Sequence, residues 1–295
     1  RYAQAVISEE LRMAGYFGCF KVPMTTMGLE KIQNQGSDAV PANLGVSAAS
    51  GYSHAVFGVE GDTGDASIPP HKSKTDVVRV QHASREGGWL AANTSGGATQ
   101  TTVVGSSFLD AGDLAVMSNC LNASVFSVGA VLADGANHSI KHPALGSSYG
   151  ARIDPNAGQI FGFVNRYLYV REDVDGRSVL TMRTLRGNGL DPLDEDIAEG
   201  IEDLQFGYGY DPSSDTQASA HQLAFWNANQ VPNSVEGWRR VVSVRVCMLS
   251  VSANTGLATK PQEYTDCSGN SITAPDTRLR FPITFTVNLR NRVEG

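Results

Sequence analysis

The sequence predicts an α+β fold, with one N-terminal helix ahead of a large antiparallel β-sheet body carrying long loops. Three observations carry this expectation. Residues 3–14 hold no glycine or proline and space their apolar side chains as a helix does. From Ile160 onward, several segments alternate apolar and polar residues with the period of two of a half-buried strand. The chain's 31 glycines, scattered among Ser, Thr and Asn, supply the turns that such a sheet requires.

The helix is read over residues 1–15. Tyr2, Val6 and Met13 lie along one flank, with Ile7, Leu11 and Ala14 beside them, and Glu9, Glu10 and Arg12 fall away from that stripe. Gly15 is a fitting stop, because helices commonly end on a residue with positive φ. The chain starts at an arginine, which reads as a processed or trimmed N-terminus.

Residues 20–75 read as an irregular loop region with Pro23, Pro41, Pro69 and Pro70. The acidic, glycine-rich run 58–65 lacks the ordered acids of a calcium loop and reads as a solvated turn. The β-rich body spans 76–295. It opens with a short strand, 76–82, followed by a polar stretch up to Ser107. Residues 112–120 and 123–128 form a strand pair, and 135–158 is a loop. His138 and His142 are four apart, but Asn137, Pro143 and nearby glycines disfavour a helix that would aim both at a metal.

Residues 160–171 and 178–186 are partner strands around an Asp-Gly turn. In that turn Asp173 and Asp175 are explained by local side-chain hydrogen bonds. Asp191, Asp194, Glu195, Asp196, Glu199, Glu202 and Asp203 form an acidic run. Two of them could act as the carboxylate pair of a hydrolase, but a solvated face beside a strand is the better reading. Residues 204–211 are a strand, and 212–237 a polar excursion. From Trp238 a strand places Val242, Val244, Val246 and Met248 on one face, with Arg245 and Cys247 on the other. The last strand, 278–292, contains Pro282, which belongs at a sheet edge.

Charged residues are 18% and the net charge is −7, which argues against a nucleic-acid binder and gives no reason to expect attraction to anionic lipid. No apolar run is long enough to span a bilayer. The four cysteines, Cys19, Cys120, Cys247 and Cys267, are not in C-x-x-C pairs, so a zinc ribbon or redox motif is disfavoured. Of the three possible pairings, Cys19–Cys120 with Cys247–Cys267 is favoured, because the second pair is close in sequence and flanks one excursion. Free buried thiols are the alternative. In the chain-entropy model the bridges contribute roughly 4–5 and roughly 3 kcal/mol, and disulfides would place the protein outside the cytosol. No nucleophile elbow, phosphate loop or dinucleotide fingerprint is present.

Four stretches taken together resemble PilW-type minor pilins of type IV pili. They are Glu10 to Cys19; Gly112 to Cys120 continuing to Phe126; Ile197 to Gly209, with its Glu-Gly-Ile-Glu-Asp core; and Trp238 to Val246 with Phe285 to Arg292. The resemblance implies a single pilin-like domain over 1–295, with residues 1–15 as the C-terminal half of the pilin helix. It also implies a leader and a hydrophobic helix before Arg1, anchoring the subunit in the inner membrane on its periplasmic face until assembly moves it to the pilus tip. Family members are non-enzymatic and bind no cofactor. They are expected to join other minor pilins, the major pilin and a PilY-type tip adhesin in priming assembly, and so to serve adhesion and twitching motility. In this reading Tyr2, Val6, Ile7, Leu11 and Met13 pack the helix on its own sheet and on filament neighbours, and Cys19–Cys120 fixes the helix exit to the sheet. Two readings stand beside it: a J-type pseudopilin of a type II secretion system, and a tip adhesin presenting the loops 20–75 and 212–237 to a surface or sugar. A hydrolase using Asp194 is the third.

Overall fold

A computed structural model describes residues 1–21, 32–35, 55–62, 68–105, 108–187, 190–212 and 224–292. Helix α1 (Tyr2–Met13) leads into a small hairpin, β1 (Tyr16–Phe17) and β2 (Phe20–Lys21). Then follow β3 (Ile32–Gln35), β4 (Val56–Val59), β5 (Val77–Trp89) and β6 (Gln100–Val104). Two hairpins come next, β7 (Leu114–Ser118) with β8 (Ala123–Ser127), and β9 (Ala130–Asp134) with β10 (Asn137–Lys141). β11 (Gln159–Glu172), β12 (Ser178–Thr184), β13 (Leu193–Glu199), β14 (Ile201–Tyr210) and β15 (Ala224–Trp226) precede the short helix α2 (Val235–Arg239). The chain closes with β16 (Val241–Val251), β17 (Glu263–Thr265), β18 (Ser271–Thr273), β19 (Arg280–Asn288) and a 3₁₀ turn at Arg290–Arg292.

The first sheet is built around β11. One edge of β11 pairs β5, and the other pairs β7 near its start and β12 further on. β13 extends the sheet beyond β12, β4 lies outside β5, and β8 and then β3 lie beyond β7. The β3–β8 pair is parallel, a departure from the all-antiparallel body expected. The second sheet has the antiparallel order β15-β14-β16-β19, so Pro282 does fall on an edge strand. The chain passes from one sheet to the other at Gly200, between β13 and β14. Its φ is +74°, and a Cβ there would stand 2.7 Å from the Val251 carbonyl, so the crossing needs glycine.

The period of two distributes side chains between cores. On β11, Leu168 and Val170 face the core between the two sheets, while Phe161, Phe163, Tyr167 and Tyr169 face the core on the opposite side. A third core lies under the small sheet β6-β10-β9. Asp76 joins the two main sheets. Its N–H donates to the Leu204 carbonyl at 2.8 Å, and its carboxylate accepts from the N–H groups of Phe206 at 2.9 Å and Gly61 at 3.0 Å. Burial pushes this carboxyl up to about 7, outweighing the two N–H donors that favour its charged form.

Several expectations are corrected. β5 runs on to Trp89, and β6 and β10 occupy stretches read as polar loop, because cross-strand pairing rather than apolar patterning holds them. The acidic run contains β13 itself. Trp238 sits in α2, whose N-cap Ser234 accepts from the Gly237 N–H at 3.0 Å, and β16 begins after it. Val242 does not share the face of Val244: a bulge opposite Tyr210 inserts it, so Val241 takes the place in the core. Within 20–75, β2, β3 and β4 are strands, and much of the remainder lies outside the described residues.

Candidate functional site

Helix α1 lies against β5, β13, β19 and the 3₁₀ turn. Ala3, Ile7, Leu11 and Ala14 enter the core that both main sheets share. They recur at intervals of three and four residues, so they form one stripe. Of the residues assigned to helix packing, Ile7 and Leu11 are wholly buried, Val6 and Met13 are half-buried, and Tyr2 is 67% exposed. The outward flank therefore consists of Tyr2, Ala5, Glu9 and Arg12, edged by Val6 and Met13.

Glu10 does not fall away from the stripe. It lies three residues after Ile7 and is 7% exposed. Its carboxylate accepts from Arg166 Nη1 of β11 at 2.6 Å and lies 3.3 Å from His82 Nε2 of β5. The other ring nitrogen of His82 is 2.7 Å from the Ala83 carbonyl. Burial by itself would raise the Glu10 carboxyl, but the hydrogen bond with His82 and the Arg166 charge bring it below the usual value. One helical carboxylate thus ties α1 to two strands of the first sheet. The signal was its position: residues 3, 7, 10, 11 and 14 make one face, and reading only apolar residues left Glu10 out. Glu9 and Arg85 form an exposed pair at 3.0 Å alongside. A cleft of about 460 Å³ opens here, bordered by Glu10, Met13, Arg85, Phe108, Phe163 and Leu185.

The end of α1 is fixed twice. Asn291 Nδ2 points at the carbonyls of Arg12, Met13 and Ala14, at 3.1, 3.4 and 3.4 Å. These groups have no acceptor role left within the helix and need an outside donor. Gly15, at φ +76°, turns the chain so that its N–H donates to the Gln81 carbonyl at 3.0 Å. Cys19, just past the turn, is bonded to Cys120 between β7 and β8, and Ser118 Oγ donates to the Phe17 carbonyl at 2.9 Å. Cys247 of β16 is bonded to Cys267 in the β17–β18 turn.

The residues weighed for catalysis or metal binding are otherwise engaged. Asp194 makes two bonds of 2.6 Å to the Arg183 guanidinium, which lowers its pKa. Arg171 pairs with Asp196 at 2.6 Å, so β13 is an acidic edge strand answered by arginines on β12 and β11. Asp173 accepts from the N–H groups of Asp175 and Arg177, the local turn bonding expected of it. His142 is buried and its pKa lowered, with Nδ1 2.8 Å from the Pro143 carbonyl; His138 Nδ1 is 2.8 Å from the Gly105 carbonyl. In the 58–65 run, Asp62 accepts from Ser73 Oγ at 2.7 Å, and residues 63–67 lie outside the described residues. Among the described residues no group of three or more His, Cys, Asp or Glu is placed to hold a metal, and no helix is long and apolar enough to cross a membrane.

Residues 167–291 match the family model described as type IV pilus-assembly protein W, PilW. No curated protein and no solved structure matches the chain. The matched segment runs from within β11 through the second sheet to the 3₁₀ turn. It contains the Glu-Gly-Ile-Glu-Asp stretch, where β13 passes into β14, and the Trp238 segment, and it ends at the helix-capping Asn291. Glu10 to Cys19 and Gly112 to Phe126, the other two stretches that carried the resemblance, lie before it. The match bears out a PilW-type resemblance and supports a pilus-assembly protein that is exported and associated with the cell envelope.

Proposed function

Taking the PilW-type segment as the premise, we propose that this protein is a minor pilin. In this reading it is a non-enzymatic subunit that primes type IV pilus assembly and stands in the tip complex beside other minor pilins and a PilY-type adhesin. The observation that carries it is the family match over 167–291, the segment that holds the second sheet. The way α1 is seated supports it. A helix with one buried stripe, an internal ion pair and a capped end is held firmly, while Tyr2 and its flank stay available to a neighbour. The pilin-like plan and the single-domain reading belong to this proposal, with α1 continuing a hydrophobic helix that holds the subunit at the inner membrane before assembly.

The test is co-purification of this domain with the other minor pilins, the major pilin and the tip adhesin of the same system. Capture of at least one minor pilin, weakened by Tyr2→Glu with Met13→Glu, is expected. Capture of none of them would overturn the proposal, and unchanged capture by the double variant would remove the helix flank from it.

A further inference from the structure

The outer face of the second sheet carries a second groove, of about 250 Å³, remote in sequence from α1. Its donors and acceptors are unequal. Arg245, exposed on β16, lies over the ring of Phe225 with its guanidinium carbon 4.4 Å from the centroid. A guanidinium set over an aromatic face keeps its N–H groups for hydrogen bonds at its edge. Arg245 has no hydrogen bond or ion pair among the described residues. Asn227 and Gln230 line the same groove and hold each other's backbone: Gln230 Oε1 accepts from the Asn227 N–H at 2.9 Å, and Asn227 Oδ1 from the Gln230 N–H at 3.1 Å.

Those two bonds fix which end of each amide is oxygen. Each oxygen accepts one of these bonds, and each side chain keeps an NH₂ group that has no bond among the described residues. Gln205, also in the lining, has its NH₂ bonded to the Lys74 carbonyl and to Asp203, each at 2.8 Å. Gly207 adds no side chain to the trough floor beside Phe225 and Arg245, and the Cys247–Cys267 bridge forms one wall. The groove thus offers a cation and two amide NH₂ groups as donors, with Gln205 Oε1, which makes no bond among the described residues, as an acceptor for a hydroxyl.

We propose that this groove binds an acidic saccharide: the carboxylate of one sugar unit pairs with Arg245, and the NH₂ groups of Asn227 and Gln230 donate to its carboxylate or hydroxyl oxygens. The carboxylate follows from the open guanidinium edge, which matches it with two parallel bonds. The size of the ligand follows from the groove, whose volume of about 250 Å³ is on the scale of one sugar unit. This goes beyond the pilus reading and does not rest on it, since the groove is built within the second sheet whatever the protein assembles with.

The test is calorimetric titration of the purified domain with D-galacturonic acid, D-galactose and a capped tri-glutamate peptide at low ionic strength. Galacturonate is expected to bind, with galactose at least about tenfold weaker. Arg245→Met keeps the stem and removes the donors, and is expected to abolish that preference with the melting temperature unchanged. Asn227→Asp with Gln230→Glu keeps the backbone-accepting oxygens and turns both donors into acceptors. It tests the same idea independently should Arg245→Met fail to fold, and is expected to abolish binding. No binding of galacturonate, or equal binding by both variants and the parent, overturns the proposal. Tighter binding of the peptide overturns the saccharide and makes the groove a protein-docking site.

Discussion

Asp76 and Glu10 are both buried carboxylates, and their surroundings push them in opposite directions. Asp76 is raised from 3.8 to about 7 by burial. Between those values the folded state keeps a proton that the unfolded chain has released, so stability falls as pH rises from about 4 to 7. The loss is at most about 4 kcal/mol, at roughly 1.4 kcal/mol per pH unit. Asp76→Asn is expected to flatten this slope in urea titrations run from pH 4 to 8; a slope unchanged by the substitution would assign it to other groups. Glu10 is lowered, so its contribution is present above 4.5 and lost as pH falls through its lower folded value. Glu10→Gln leaves Arg166 without its counter-charge and is expected to cost about 3 kcal/mol at pH 7, the lower end for breaking a buried pair, because Arg166 keeps a quarter of its side-chain surface. A urea midpoint equal to the parent's would show that the pair does not hold α1. Neither effect is legible in sequence, since an isolated Asp or Glu carries no mark of burial.

At the scale of elements, the exit of α1 and the crossing at Gly200 are the two joints of the fold. The Cys19–Cys120 bridge closes a loop of 101 residues, worth about 4.7 kcal/mol in the chain-entropy model. Cys120→Ser is expected to lower the melting temperature by roughly 10 °C in oxidising buffer, and an unmoved melt would deny the bridge that role. Gly200→Ala meets both a left-handed backbone and the Val251 carbonyl. A cost of about 2–3 kcal/mol is expected, and an unchanged urea midpoint would refute it. The long strands with a period of two, β11 and most of β16, were legible from the spacing of their apolar residues. β13 was not. Its run of acids masks the two apolar residues, Ile197 and Ala198, that pack on the core, and the strand is held by β12 and by Arg183 of β12 and Arg171 of β11. β9 and β10 were hidden for a similar reason, as each is held by its partner more than by its own residues.

Across the whole molecule, α1 completes a core to which both main sheets contribute. Burying Ile7 and Leu11 alone is worth about 1.5–3 kcal/mol each. A chain lacking residues 1–15 would leave that core open, so it is expected to bind a hydrophobic dye and lose the cooperative transition of the parent. Retention of a sharp melt by the shortened chain would make α1 an accessory to the sheets.

The sequence by itself determined that a helix precedes a β-rich body, where the longest strands run, the favoured cysteine pairs and the resemblance to PilW-type proteins. Those features rest on local spacing, turn chemistry and motif order, which a linear chain displays. Only the tertiary structure decided that Glu10 turns inward, that Asp76 joins two sheets, that an acidic run is a strand, and that Arg245 meets Asn227 and Gln230 at one groove. Each of these depends on what a distant segment places opposite a side chain. A charged or amide group takes its role from that partner, whereas an apolar stripe already declares its preference for burial.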